Sequence, residues 1–311
     1  MGYVDGSDPI NYTDLQQVFP GYIVRWQENS TNTTVTNTNG WEYVNQQDTG
    51  NDEQSIKYWD WSATAYRFFG LARVSVSGVS QSVTMNAPEG SALATADNAT
   101  LTMTVDATST DAINATPYYS RLWFSNGNPD YPTRQFGKPV QLEFVKPYSM
   151  VRFMFVSTDP VIRLEDLHIE VISFAPTNTS RLIATAGTFN VTYPLTGTET
   201  KESWTISSLV SSTLEREGFT EDYNEAENRP HWYTVLPAHA DDQGTYTLKI
   251  TVNGEEITCV VPQEFMDWQP GFEYTYIFKV NDVGGVELGQ VTSAYTDWLR
   301  GEEKEHPIYN W

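Results

Sequence analysis

Cysteine is almost missing from this sequence: Cys259 is the only one among 311 residues. No intrachain disulfide and no cysteine-based metal cluster can form. Basic residues are scarce too, 18 Lys and Arg against 40 Asp and Glu, which gives a formal net charge of −22. A surface that acidic repels phosphate backbones and anionic membranes, so nucleic acid is not an expected partner. No apolar run approaches the ~18–20 residues of a spanning helix, so no transmembrane helix is expected. The opening Met1-Gly-Tyr-Val-Asp-Gly6 lacks the basic start and apolar stretch of a signal peptide. Either the protein is cytosolic or its targeting segment has already been removed, and composition leaves both open.

Signatures of catalysis are wanting as well. There is no Gly-Xaa-Ser-Xaa-Gly elbow, phosphate loop or His-Glu-Xaa-Xaa-His pair. His168, His231, His239 and His306 are scattered, and His231 and His239 with Asp241-Asp242 match no ligand spacing. They read as ordinary surface or loop histidines. Asp5-Gly-Ser-Asp8 and Asn51-Asp-Glu53 are rich in oxygen but lack EF-hand spacing, so they read as solvated loops rather than calcium sites. A glycosidase needs two facing carboxylates, and nothing points to a particular pair. No enzyme, cofactor or metal site is expected.

What the chain does have is Thr, Ser, Val, Tyr and Asn, 14% aromatics and 39% hydrophobic residues, which favours strands and a sizeable core. Gly21–Trp26 reads as a strand, with Trp41-Glu-Tyr-Val44 as its return after an Asn/Thr-rich loop at 28–40. In Tyr66–Val76 the set Tyr66, Phe68, Gly70, Ala72, Val74, Val76 is the expected core face, leaving Arg67, Phe69 and Leu71 on the other. Leu101, Met103 and Val105 mark another strand. Beyond a loop at 125–132, Val140, Leu142 and Phe144 share a face; Val151, Phe153, Phe155 and Leu167, Ile169, Val171 follow. The cleanest hairpin is Thr245–Val261: Tyr246, Leu248, Ile250 and Val252 face one way, and Asn253-Gly254 suits a type I′ turn. Cys259 on its return strand reads as a small core residue. Leu209–Glu217 alone looks helical, and the acidic run Glu215–Glu227 looks like a solvated loop. Short strands with frequent turns point to an all-β chain of β-sandwiches, with a domain boundary near Gly137 separating residues 1–137 from 138–311.

Two groups of aromatics call for a destination. Trp26, Trp41, Trp59, Trp61 and Trp123 fall in the first half; they could stack on sugars, but core or edge cover is the expected role. Trp59 and Trp61 would share a face of any strand. The tail carries Tyr295, Trp298, Leu299, Ile308, Tyr309 and Trp311 around an acidic centre, where a terminus is usually polar.

The run Lys138-Pro-Val-Gln-Leu-Glu-Phe-Val-Lys-Pro-Tyr-Ser-Met-Val-Arg-Phe-Met-Phe155 resembles the start of the second domain in fimbrillin-like proteins of Bacteroidales. Trp268-Gln-Pro-Gly-Phe-Glu-Tyr-Thr-Tyr-Ile-Phe-Lys-Val280 resembles the late aromatic strand of that family, and Ile56–Leu71 a first-domain strand. The resemblance spans Gly21 to the end. It implies two transthyretin-like β-sandwich domains in tandem and an exported lipoprotein built into fimbriae at the cell surface or outer membrane. Its partners would be other fimbrial subunits, joined by strand complementation, and host or bacterial surface ligands. In such assembly a protease removes an N-terminal strand, often after an Arg, and a neighbour's segment fills the groove. Arg25 is the only early candidate, although an ordinary strand role fits it better. The aromatic tail residues form the candidate donor segment. The lipobox cysteine of the family is missing, as expected if the precursor segment has been trimmed. The alternative reading is a surface glycan-binding lipoprotein using exposed tryptophans of the first half.

Overall fold

Side chains alternate in and out along most of the chain, and two stacked cores result. The computed structural model describes residues 1–5, 15–26, 41–44, 46, 54–61, 63, 65–125, 137, 140–157, 169–177, 183–208, 215–216, 219–221, 232–280 and 285–295. The stretch 28–40, the loop 126–132, Leu167, residues 209–214 and tail residues Trp298, Leu299, Ile308, Tyr309 and Trp311 lie outside them.

In chain order the strands are β1 (Gly2–Asp5), β2 (Gln16–Phe19), β3 (Arg25–Trp26), β4 (Trp41–Glu42), β5 (Ala65–Phe68), β6 (Leu71–Ala72), β7 (Val83–Asn86), β8 (Asn98–Asp106), β9 (Tyr118–Ser120), β10 (Trp123–Phe124) and β11 (Phe144–Val145). There follow β12 (Ser149–Ser157), β13 (Ile169–Pro176), β14 (Ile183–Ala184), β15 (Ala186–Pro194), β16 (Ser203–Ser208), β17 (Glu215–Arg216), β18 (Phe219–Glu221), β19 (Tyr233–Val235), β20 (Tyr246–Val252), β21 (Glu255–Val261), β22 (Phe272–Val280) and β23 (Val286–Tyr295). Helices are short: α1 (Thr110–Ala115) and α2 (Ala240–Gln243). The fold is all-β, as the composition indicates.

The first core lies between the sheet β16-β15-β8-β7 and the sheets β10-β5-β1-β2 and β11-β9-β6. Leu101, Met103 and Val105 of β8 meet Phe189, Val191 and Tyr193 of β15 there, with Tyr3, Phe69 and Tyr119 opposite. The second core lies between β19-β12-β22-β23 and β18-β13-β20-β21. It holds Val151, Phe153 and Phe155 and the inward face of the 246–261 hairpin. Asn253 and Gly254 both have positive φ, 52° and 87°, as the expected two-residue turn requires. β12 and β22 pair in parallel from Met150↔Glu273 to Ser157↔Val280, an exception in an otherwise antiparallel set.

The first sandwich does not stop at Gly137. β15 pairs along its whole length with β8, Ala186 opposite Asp106 and Pro194 opposite Asn98, and β16 pairs with β15. Three strands from beyond Gly137, β11, β15 and β16, therefore complete the first core. Three local expectations also give way. At Glu215–Arg216 the chain is strand, opposite Ile183–Ala184, and Phe219–Glu221 forms β18, opposite β13, so the acidic run is neither helix nor simple loop there. Phe69 is fully buried in the first core, while Tyr66 and Phe68 belong to a separate outer layer with Ala63, Val18, Phe19, Trp59 and Trp123. Both faces of β5 are covered, so alternation alone could not tell which face is the main core. Residues 54–60 form no strand, and Trp59 points into the outer layer while Trp61 is exposed.

Polar contacts lock the elements. Ser109 caps α1 by accepting from the Ala112 N–H at 3.2 Å. The Lys146 ammonium donates to the carbonyls of Ile113 and Asn114 at 2.9 and 3.0 Å and to that of Thr116, meeting the negative end of the helix. Arg121 pairs with Glu202 at 3.2 Å inside the first sandwich; between the sandwiches it donates to the Pro270 carbonyl at 3.3 Å, and Trp204 Nε1 donates to Gln269 Oε1 at 3.1 Å. The Gly271 N–H donates to the Tyr148 carbonyl at 2.7 Å; its φ of +78° and the closeness of Val145, 3.1 Å from where a Cβ would sit, both require glycine.

Candidate functional site

The N-terminal segment is built into the first sandwich. β1 lies between β2 and β5, with Tyr3 opposite Arg67 and Gly2 opposite Phe68. Tyr3 is fully buried. Its hydroxyl donates to the Pro88 carbonyl at 3.0 Å and accepts from Gln17 Nε2 at 3.2 Å, and its ring stacks on Phe69 with centroids 5.9 Å apart. Burial pushes its phenol up to about 12, the Gln17 bond opposing and the Glu89 charge adding to the rise. A Cβ at Gly2 would run into the Phe68 ring, so the strand needs glycine there. Leu15 reaches the main core and Phe19 the outer layer, where it packs edge-on against Tyr22 and Phe68. At ~1.5–3 kcal/mol for each fully buried apolar side chain, this segment contributes heavily to the fold.

Arg25 is exposed and sits in β3, opposite Glu42 of β4, with Trp26 opposite Trp41. This is the expected pairing of Gly21–Trp26 with Trp41–Val44, shortened to two residues a side. Just before it, Gln54 binds the backbone of Ile23 twice, accepting from its N–H at 2.5 Å and donating to its carbonyl at 2.7 Å, and donates to the Tyr43 carbonyl at 2.6 Å. Arg25 thus marks the end of the segment that supplies β1 and β2.

At the other terminus β23 runs to Tyr295, whose backbone lies opposite Phe272. The last strand is longer than the expected Val286–Val291 and takes in the first residue of the candidate donor segment. β23 is an edge strand, and with the edge strand β21 it lines a cleft of about 620 Å³ that includes Val260, Phe265, Leu288 and Val291.

Among the described residues no group of three His, Cys, Asp or Glu side chains is placed to hold a metal. His239 Nδ1 lies 3.7 Å from Asp267 Oδ1 and its ring stacks on Trp204 at 4.1 Å; His168, His231 and His306 lie outside the described residues. Burial pushes the Cys259 thiol up, which fits a core residue rather than a nucleophile. Trp59 packs edge-on against Tyr66 at 4.8 Å and beside Trp123 at 6.2 Å, so both are layer residues. No helix among the described residues is long and apolar enough to cross a membrane.

Residues 22–298 match the family model described as fimbrillin-like. No curated protein matches the chain. Among solved structures it is similar to a fimbrial protein from Bacteroides vulgatus, at 10% identity over 83% of this chain and 82% of that one, with a TM-score of 0.38. It is also similar to proposed cell adhesion proteins from Bacteroides ovatus, 12% identical over 84% and 77% with a TM-score of 0.35, and Bacteroides uniformis, 16% identical over 65% and 74% with a TM-score of 0.34. Likenesses this distant indicate neither ligand nor partner.

Proposed function

Since the chain belongs to the fimbrillin-like family, we propose that it is a structural and adhesive subunit of a cell-surface fimbria, joined to its neighbours by strand exchange. The family match over residues 22–298 carries the first part. The placement of β1 supports the second. Cleavage after Arg25 would cut off the segment that holds β1 and β2 and bare β5 from Ala65 to Phe68, together with the socket filled by Tyr3. A bared strand edge pairs readily with a foreign strand, because main-chain bonds give affinity and alternate side chains fill pockets. The donor in this reading is the C-terminal segment with Tyr295, Trp298, Leu299, Ile308, Tyr309 and Trp311. Export to the outer surface and lipid anchoring of the precursor belong to the same proposal.

The test is a chain lacking residues 296–311. It is expected to fold as a monomer and, after cleavage at Arg25, to accept a neighbour's segment but not donate one, so mixtures with the full chain stop at capped oligomers. Unfolding of the shortened chain would place the tail in its own core and sink the donor assignment.

A further inference from the structure

The socket of Tyr3 makes two demands on any strand that lies along β5. It takes a buried phenol, whose hydroxyl donates to the Pro88 carbonyl at 3.0 Å and whose ring stacks on Phe69. It also leaves almost no room for the residue before, because Gly2 lies opposite Phe68 and a Cβ there would meet the Phe68 ring. Pro88, Phe69 and Phe68 all lie beyond Arg25 and stay when residues 1–25 leave, whereas Gln17 and Phe19 go with β2. Phe19 packs edge-on against Phe68 at 5.5 Å and stands 3.0 Å from where a Gly2 Cβ would be. Its departure lets the Phe68 ring turn aside from a methyl group. Trp59, Tyr66 and Trp123 still pack on that ring, so a larger side chain would overfill the place.

Only one apolar residue of the donor segment meets both demands. Trp298 follows Asp297, Leu299 follows Trp298, Ile308 follows Pro307, Tyr309 follows Ile308 and Trp311 follows Asn310, but Tyr295 follows Ala294. We propose that Ala294-Tyr295 of a second copy takes the place of Gly2-Tyr3, with the Tyr295 hydroxyl donating to the Pro88 carbonyl. This register rests on the strand-exchange reading and fixes its alignment: Ala294 comes opposite Phe68 and Tyr295 opposite Arg67, as Gly2 and Tyr3 are in the uncleaved chain. Thr296 and Asp297 then fall opposite Tyr66 and Ala65, where β1 has Val4 and Asp5, so a β-branched and an acidic residue recur in the same order. The main-chain bonds favour the exchange. In its own subunit Ala294 lies opposite Glu273 and Tyr295 opposite Phe272, at the end of β23, which pairs with β22 alone. Those two rungs are given up, and the four rungs that β1 made with β5 are regained. Ala294 is exposed in its own subunit, so its methyl leaves no core behind.

The test follows assembly of full chains cleaved after Arg25, by light scattering. Tyr295→Ala is expected to slow growth about tenfold or more, the size of effect that loss of a buried anchor gives. Ala294→Leu should do the same by overfilling the place beside Phe68. Its site is exposed in the subunit, so its thermal midpoint before cleavage should not change, and it decides the matter if Tyr295→Ala folds poorly. Tyr295→Phe keeps the ring and loses the Pro88 bond, and should fall between Tyr295→Ala and the parent. Tyr309→Ala should assemble like the parent. A photoreactive benzoylphenylalanine at position 295 should cross-link to the stretch around Pro88 or Phe69 of a second copy. Growth that survives both Tyr295→Ala and Ala294→Leu but is lost in Tyr309→Ala would overturn this register and leave strand exchange standing. Cross-links confined to the same chain would also overturn it. A cleaved parent chain that never assembles would remove strand exchange itself, and the register with it.

Discussion

The Trp204 indole lies on the His239 imidazole, centroids 4.1 Å apart and planes 16° apart. One ring belongs to β16 of the first sandwich and the other precedes α2 in the second. With the Trp204 to Gln269 bond it makes the joint between the two bodies specific in direction as well as tight. Replacing Trp204 by Ala removes a buried ring and leaves Gln269 without that donor. A loss of ~3 kcal/mol is expected, and calorimetry should show one unfolding transition dividing into two.

Arg67 makes a comparable bond inside the first sandwich. Its guanidinium donates to the carbonyls of Leu195 and Gly197 at 2.9 and 2.6 Å and lies 4.3 Å over the Phe124 ring. An Arg67→Met chain keeps the bulk and loses both donors, leaving carbonyls under-bonded in a buried place. A fall of ~2–4 kcal/mol is expected. Urea titration should show a lower midpoint with unchanged slope.

Gly2→Ala tests how tightly β1 is fitted. The added methyl meets Phe68 and Phe19, and overpacking of this kind costs ~1–3 kcal/mol. Limited proteolysis should then release residues 1–25 faster than from the parent chain. No change in release would show that the segment is held elsewhere.

Alkaline pH should unfold the protein through its phenols. Burial, only partly offset by hydrogen bonds, pushes Tyr3, Tyr148 and Tyr274 up to about 12. In the unfolded chain a phenol ionises near ~10, so the folded state holds protons that the unfolded state releases. The stability linked to these groups is complete below pH ~10 and is lost as pH rises towards about 12. Unfolding free energies measured from pH 8 to 12 should be flat at first and then fall steeply, together with the appearance of phenolate absorbance.

Features with local causes were legible in the sequence. The 246–261 hairpin follows from period-two alternation and an Asn-Gly turn, and its pairing is found as expected, Tyr246 opposite Val261. β8 and β12 follow from alternation alone, and Cys259 sits in the core. The packing of Trp59 and Trp123 was also readable. What escaped depends on distant partners. Nothing in Ala186–Pro194 says that β8 is its neighbour. The buried state of Arg67 depends on carbonyls 128 and 130 residues further on.

The pairing of β8 with β15 carries a consequence for biosynthesis. A chain made from its N-terminus cannot seal its first sandwich when residue 137 has appeared, because the two strands that close it come after β13 of the second. Until then β8 offers a long open edge, a ready template for association with other chains. The two bodies therefore mature as one late event rather than as beads in succession. Most of the chain must therefore exist before its edges close, and folding waits on strands that are made late.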